Sequence, residues 1–146
     1  MIAYTDGSCQ GNPGPGGFGV VVLDDNENEI LSYSKKCKTN TTNNREELKA
    51  ILWAFFNFGV KDKSSHLTVY SDSAYCVNTL TNWMFNWERN GWLKSDNKEP
   101  ENLDLIKPFF DFLQKGYQIE LKKVKGHANN KWNEKADLLA TGKINS

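Results

Sequence analysis

Four carboxylates, Asp6, Glu47, Asp72 and Asp137, stand apart from the rest of the eighteen acidic residues of the chain. Asp6 and Asp72 each follow an aromatic and a hydroxyl residue, in Tyr4-Thr5-Asp6-Gly7-Ser8 and Tyr70-Ser71-Asp72-Ser73-Ala74. Glu47 and Asp137 lie on segments whose apolar residues recur at helical spacing. Four such groups brought together without cations would repel strongly. An all-oxygen ligand set suits magnesium. Two such ions about 4 Å apart would neutralise the acids and clamp a phosphodiester for in-line attack by water. Whether the four converge depends on the elements that carry them.

Ile2-Ala3-Tyr4 reads as a strand that delivers Asp6 into the turn-rich stretch Gly7 to Gly14. A carboxylate beside bare backbone suits a divalent cation and a phosphate; a strand followed by a polar turn is the plain alternative. Residues 18–24 form a β-branched strand, 25–28 a turn and 29–37 a third strand, an antiparallel meander. The polar run 39–44 is a loop ending in a helix N-cap. The helix runs to about Phe58, with Gly59 as its stop. Leu48, Ile51, Leu52 and Phe55 face inward, while Glu46, Lys49, Trp53 and Asn57 face outward. Glu46 is thus expected in solvent, paired with Lys49, whereas Glu47 faces the sheet.

Residues 67–72 form a strand that follows a helical crossover and joins the sheet in parallel. Residues 73–92 are expected to be helical. There Trp83 and Trp87 share a face at i, i+4, either as core or as a platform for sugars or bases. Gly91 to Pro100 is a projecting loop. A helix over 101–115 contains Pro108, which predicts a kink or a late start. A last strand spans 118–124. A loop with His127 follows, then a helix to about Thr141 with Asn133 and Asp137 on one face. On chemistry alone His127 is an ordinary surface-loop histidine.

The 146 residues fit one domain with a full core. Net charge is zero, so no global field advertises nucleic acid, and any such contact must be local. Three cysteines without C-x-x-C spacing argue against a disulfide framework or a zinc site and for a reducing compartment. No apolar run reaches membrane-span length, and no signal peptide is recognisable. A cytoplasmic monomer is the expectation.

The chain resembles type 1 ribonucleases H over essentially its whole length. The resemblance rests on Tyr4-Thr5-Asp6-Gly7-Ser8, Asn12-Pro13-Gly14-Pro15-Gly16-Gly17, Thr42-Asn43-Asn44-Arg45-Glu46-Glu47-Leu48, Tyr70-Ser71-Asp72-Ser73, and Lys125-Gly126-His127 followed by Asn133-Glu134 and Asp137. Each piece is weak alone; five in the family's order and spacing are highly specific. The resemblance implies an α/β, ribonuclease H-like fold, with a five-stranded mixed sheet of three antiparallel and two parallel strands and helices on both faces. It implies endonucleolytic hydrolysis of the RNA strand of an RNA–DNA hybrid, leaving 5′-phosphate and 3′-hydroxyl ends. It implies two magnesium ions, with manganese able to substitute, held by Asp6, Glu47, Asp72 and Asp137. His127 matches a histidine that assists proton transfer or product release. Cys9, Asn12, Asn43 and Asn44 match minor-groove contacts, where the RNA 2′-hydroxyl tells the strands apart. Thr42 matches a phosphate contact, and Tyr75, Trp83 and Trp87 match an aromatic channel for DNA sugars. Asn133 belongs with the nucleic-acid-contacting positions.

Two departures stand out. The region matching the family's basic protrusion, residues 83–100, sets Arg89, Lys94 and Lys98 against Glu88, Asp96 and Glu99, which implies weaker hybrid binding. Ala74 stands where the family often has a longer, groove-contacting side chain. A non-catalytic hybrid-binding module is the alternative of another class, but a pure binder gains nothing from four acids facing a polyanion. A DNA-cutting integrase or resolvase core generally lacks the Thr-Asn-Asn loop and the tryptophan-bearing protrusion.

Overall fold

Strict alternation along two neighbouring strands sets the layering. In β1 (Ile2–Cys9), Ala3 packs into one apolar cluster and Tyr4 into another; in β2 (Gly16–Leu23), Val20 and Val22 join the first, Val21 and Leu23 the second. Side chains two apart share a sheet face, so both faces of this sheet are covered. The computed structural model describes residues 1–124 and 130–145.

The sheet has the order β3-β2-β1-β4-β5, with β3 at Glu29–Lys36, β4 at Thr68–Ser71 and β5 at Glu120–Lys123. Strands β1 to β3 are antiparallel, and β4 and β5 run parallel to β1. On the larger face lie α1 (Asn43–Ala54), α2 (Ala74–Asn78), α3 (Met84–Arg89) and α4 (Leu103–Gln114); α5 (Lys131–Ala140) covers the other. Phe55, Ile51, Leu48, Ile106, Phe109 and Met84 are fully buried in the larger cluster. The expected five-stranded mixed architecture is present.

Several boundaries differ from expectation. Strand β1 does not stop at Tyr4 but runs through Asp6, which pairs with Gly19, to Cys9, which pairs with Gly16. The glycines there permit pairing where close neighbours leave no room for side chains. Strand β4 stops at Ser71 and β5 covers only Glu120–Lys123. Helix α1 leaves regular geometry after Ala54 and widens into a π-turn, Phe55–Gly59. A second π-turn, Thr79–Trp83, joins α2 to α3, and the helical stretch ends at Arg89. Trp92 lies beyond it with φ of 63° and packs edge-on against Phe110. Helix α4 starts two residues late and continues through Pro108.

The outward side of α1 needs the largest correction. Glu46 is buried, not in solvent: Thr41 Oγ1 donates to its Oε2 at 2.7 Å, and Lys49 Nζ lies 2.9 Å away. The Lys49 pairing was expected; the burial arises because Thr41, tied to Gly14 by a β-bridge, packs over the helix start. Trp53 is half-buried rather than fully outward, stacked on Tyr33 with ring centroids 4.3 Å apart.

Candidate active site

The parallel register of β1 with β4 places Tyr4 beside Tyr70 and Thr5 beside Ser71, so the next residue of each chain segment is Asp6 and Asp72. The tyrosine rings stack at 4.9 Å. Alternation puts Asp6 on the α5 side of the sheet and Gly7 on the α1 side. That is where α1 comes closest: a Cβ on Gly7 would lie 2.3 Å from Glu47 N and 2.4 Å from Glu46 C. A side chain at residue 7 would therefore push away the helix turn that carries Glu47.

With α1 held there, the Gly7 amide donates to Glu47 Oε1 at 2.8 Å and to Asp6 Oδ1 at 3.0 Å. One carboxylate oxygen from each of Asp6, Glu47 and Asp72 can be chosen so that all lie within 4.8 Å of one another. Asp6 and Glu47 are almost wholly buried and Asp72 half-buried. Glu47 Oε2 is buried without a hydrogen-bond partner. Burial pushes the Asp6 carboxyl up to about 7, and the charges of Asp72 and Asp137 push the same way. Burial likewise raises Glu47 well above the usual carboxylate range, with Asp6 and Asp72 adding to it.

Asp137 arrives from the opposite face. Helix α5 is capped by Asn130, whose side chain accepts from Trp132 N and Asn133 N. It settles against Gly19, where a Cβ would meet Ala136 O and Leu139 Cβ at 2.5 Å. Half-buried Asp137 lies close enough for its charge to raise the Asp6 carboxyl further. Asp137 thus approaches, from the α5 layer, the acids that β1, α1 and the end of β4 bring together around the middle of β1.

This environment fits a divalent cation. The donors are all carboxylate oxygens, one is orphaned and buried, and the two most buried acids resist ionisation without a counter-charge. No cation side chain is paired with Asp6 or Glu47 among the described residues.

The other expected positions divide into two edges beside the acids. On one, Asn12 Oδ1 accepts from Asn43 N at 3.0 Å, and Cys9 Sγ lies 3.2 Å from Thr41 O. Thr42 caps α1 by accepting from Arg45 N at 3.2 Å, and half-buried Asn44 follows Asn43 in its first turn. On the other edge, Tyr75 and Trp83 meet edge-to-face at 6.5 Å, and Trp87 lies 6.5 Å from Trp83. Trp83 is one of two large exposed apolar side chains among the described residues, at 37 %. Asn133 is 1 % exposed, and neither polar atom of its side chain has a partner. His127 lies outside the described residues.

Sequence reasoning took Gly7 as the start of a turn with bare backbone and passed over Gly19 and the group Arg45, Asn102 and Asp104. Gly19, set among the apolar residues of β2, was the available signal of close backbone approach.

Comparison with known proteins agrees with this geometry. The family model for RNase H matches residues 1–145. A ribonuclease H of Syntrophomonas wolfei subsp. wolfei is 41 % identical over 148 residues, covering 100 % of this chain and 97 % of that protein. A ribonuclease H of Rickettsia canadensis is 43 % identical over 141 residues, covering 96 % and 86 %. Among solved structures, LC11-RNase H1 in complex with an RNA/DNA hybrid superposes with a TM-score of 0.70 at 27 % identity, covering 95 % of this chain and 92 % of that one. Sheet order, acid cluster and relatives converge on one conclusion: the chain belongs to the RNase H family.

Proposed function

We propose that this endoribonuclease hydrolyses the RNA strand of RNA–DNA hybrids at Asp6, Glu47, Asp72 and Asp137, which hold two magnesium ions. Manganese, with the same preference for oxygen, can substitute. Such ions, when bound, neutralise the carboxylates, activate water and stabilise charge on the cleaved phosphodiester. The observation that carries the reading is the cluster of Asp6, Glu47 and Asp72 oxygens within 4.8 Å, with Glu47 Oε2 buried and unpartnered.

The chain's own contribution is placement. The Gly7 amide fixes one Glu47 oxygen and leaves the other for a cation. The Cys9, Asn12, Asn43 and Asn44 edge reads the minor groove, where the 2′-hydroxyl marks RNA. Thr42 binds a phosphate. Tyr75, Trp83 and Trp87 present rings to the sugars of the DNA strand, and the exposure of Trp83 supports that role. Asn133 sits one helical turn before Asp137 and supports the nucleic-acid side of the site. His127 assists proton transfer or product release. Products carry 5′-phosphate and 3′-hydroxyl ends. The reading takes residues 1–146 as one catalytic domain acting as a monomer.

A uniform RNA–DNA hybrid incubated with magnesium tests it, beside Asp72→Asn and a chelator control. RNA-only cleavage, lost with the variant and with chelator, is expected. A folded wild-type protein that leaves the hybrid intact refutes the reading.

A further inference from the structure

Asn102 occupies the position before α4 where an Asn would ordinarily cap the helix, yet its side chain makes no capping bond. Its backbone is left-handed, with φ of 64° and ψ of 24°. Its side chain bridges two other elements: Oδ1 accepts from Arg45 Nη1 at 3.3 Å, and Nδ2 donates to the Tyr75 hydroxyl at 3.2 Å. Arg45 grips Asp104 at the same time, Nη1 to Oδ1 at 3.0 Å and Nη2 to Oδ2 at 2.6 Å.

Arg45 is badly placed for α1 itself. It lies in the first turn, where a cation opposes the helix dipole. An exposed ion pair is also worth little for stability unless it is geometrically fixed. This one is bidentate, spans 59 residues of sequence, and carries a third bond to Asn102. Local helix energetics do not explain it; its ends do. Arg45 directly follows Asn43 and Asn44 on the groove-reading edge, and Tyr75 is the first ring of the aromatic edge.

From this linkage we infer that the Arg45–Asp104 pair, acting through Asn102 and Tyr75, is a positioning device that fixes the spacing between the two substrate-contacting edges and so sets which duplex geometry fits. The inference rests on the assignment of those edges given above. Duplex RNA presents a wide, shallow minor groove and duplex DNA a narrow one, with a hybrid between them. Two edges at fixed spacing accept the intermediate width; edges free to shift lose that selectivity.

Steady-state cleavage of a hybrid by Arg45→Lys and Asp104→Asn tests this, with duplex RNA and duplex DNA of the same sequence as competitive inhibitors. Arg45→Lys keeps the charge and loses the fork. Asp104→Asn removes an acid, so plain electrostatics predicts tighter hybrid binding, whereas loss of positioning predicts weaker. The expected result in both is a KM for hybrid raised about tenfold, the size of one charge-assisted contact. Turnover at saturation stays within about twofold, because an interaction that only positions bound substrate acts uniformly on ground and transition states. Inhibition constants of the two competitors change less than KM, narrowing discrimination. Adding Tyr75→Phe to either variant raises KM no further than Tyr75→Phe alone, since both cut one linkage. A lowered KM in Asp104→Asn, unchanged KM in both, or multiplicative effects with Tyr75→Phe overturns the inference while leaving the hydrolase reading intact. Wild-type protein that does not cleave the hybrid removes both.

Discussion

The Gly7 amide donates to one oxygen of Glu47 at 2.8 Å, while the other oxygen of the same carboxyl is buried with no partner. Forty residues separate the two in sequence, yet their backbones approach so closely that a methyl group on Gly7 has no room. The bond holds the carboxyl in place and also leaves it half satisfied. An unsatisfied buried oxygen is costly, and its presence marks where stability has been exchanged for function.

Glu47→Gln retains the Oε1 acceptor for Gly7 and removes the charge. Activity with magnesium should fall at least about 100-fold, since charge stabilisation at the reacting phosphate is the main catalytic lever. Stability measured by urea unfolding in chelator should rise at alkaline pH, where Glu47 ionises, because the amide has no charge to desolvate or to repel Asp6 and Asp72. A variant with lost activity and lowered metal-free stability would mean that Glu47 is structural.

Its neighbour Glu46 should behave oppositely. Glu46→Ala strips the partner from the Thr41 hydroxyl and from Lys49. The cost should be about 2 kcal/mol, below the roughly 3–5 kcal/mol for a fully buried pair because Lys49 keeps access to water. The activity of the folded fraction should stay near wild type. Equal loss of activity in the two variants would contradict the division of roles.

A divalent cation at this cluster would compete with protons for the same oxygens. The Asp6 carboxyl is raised from its ordinary 3.8 to about 7 in the folded chain. Between those values the folded state holds a proton that the unfolded state has released. The stability this proton confers is full below about 3.8 and is lost as pH rises through about 7. The metal-free protein should therefore weaken on going from pH 5 to pH 8. Saturating magnesium should raise Tm little at pH 5 and much more at pH 8. Thermal melts at both values, with and without the ion, check this; a magnesium effect independent of pH counts against a carboxylate site.

Gly19→Ala probes the opposite face. The added methyl would press on Ala136 O and Leu139 Cβ, both 2.5 Å away, and displace α5. Overpacking of this kind costs roughly 1–3 kcal/mol. Because α5 also carries Asp137, turnover should drop even at temperatures where the variant is fully folded. Circular dichroism beside cleavage assays separates the two effects; full activity per folded molecule would show that Asp137 tolerates the shift.

Much of this was legible without coordinates. The repeat of aromatic, hydroxyl and Asp at residues 4–6 and 70–72 foretold an acid delivered by each of two strands; Asp6 lies within β1 and Asp72 just past the end of β4, and the parallel register aligns them. The helical stripe correctly turned Glu47 toward the sheet. The same wheel misplaced Glu46, because a helical projection knows nothing of the segment around Thr41 that packs over the helix start. Strand β1 was read as too short because Gly7 and its neighbours look like a turn until the glycines of β2 are set opposite them. The linkage from Asp104 to Tyr75 joins three elements far apart in sequence, and no local pattern could have revealed it. The expectation for His127 falls beyond the described residues.

The wide turn at Thr79–Trp83 has a geometric consequence for the aromatic edge. A π-turn accommodates one residue more than an α-turn, so it behaves like a one-residue insertion absorbed within a helix. Each residue advances the azimuth by about 100°. Everything after Trp83 is therefore rotated by that amount relative to an uninterrupted continuation of α2. Deleting one residue from this turn would restore the regular helical phase and swing Trp87 to a different bearing, leaving Tyr75 behind. The width of a single helical turn thus sets the direction in which this side of the protein looks.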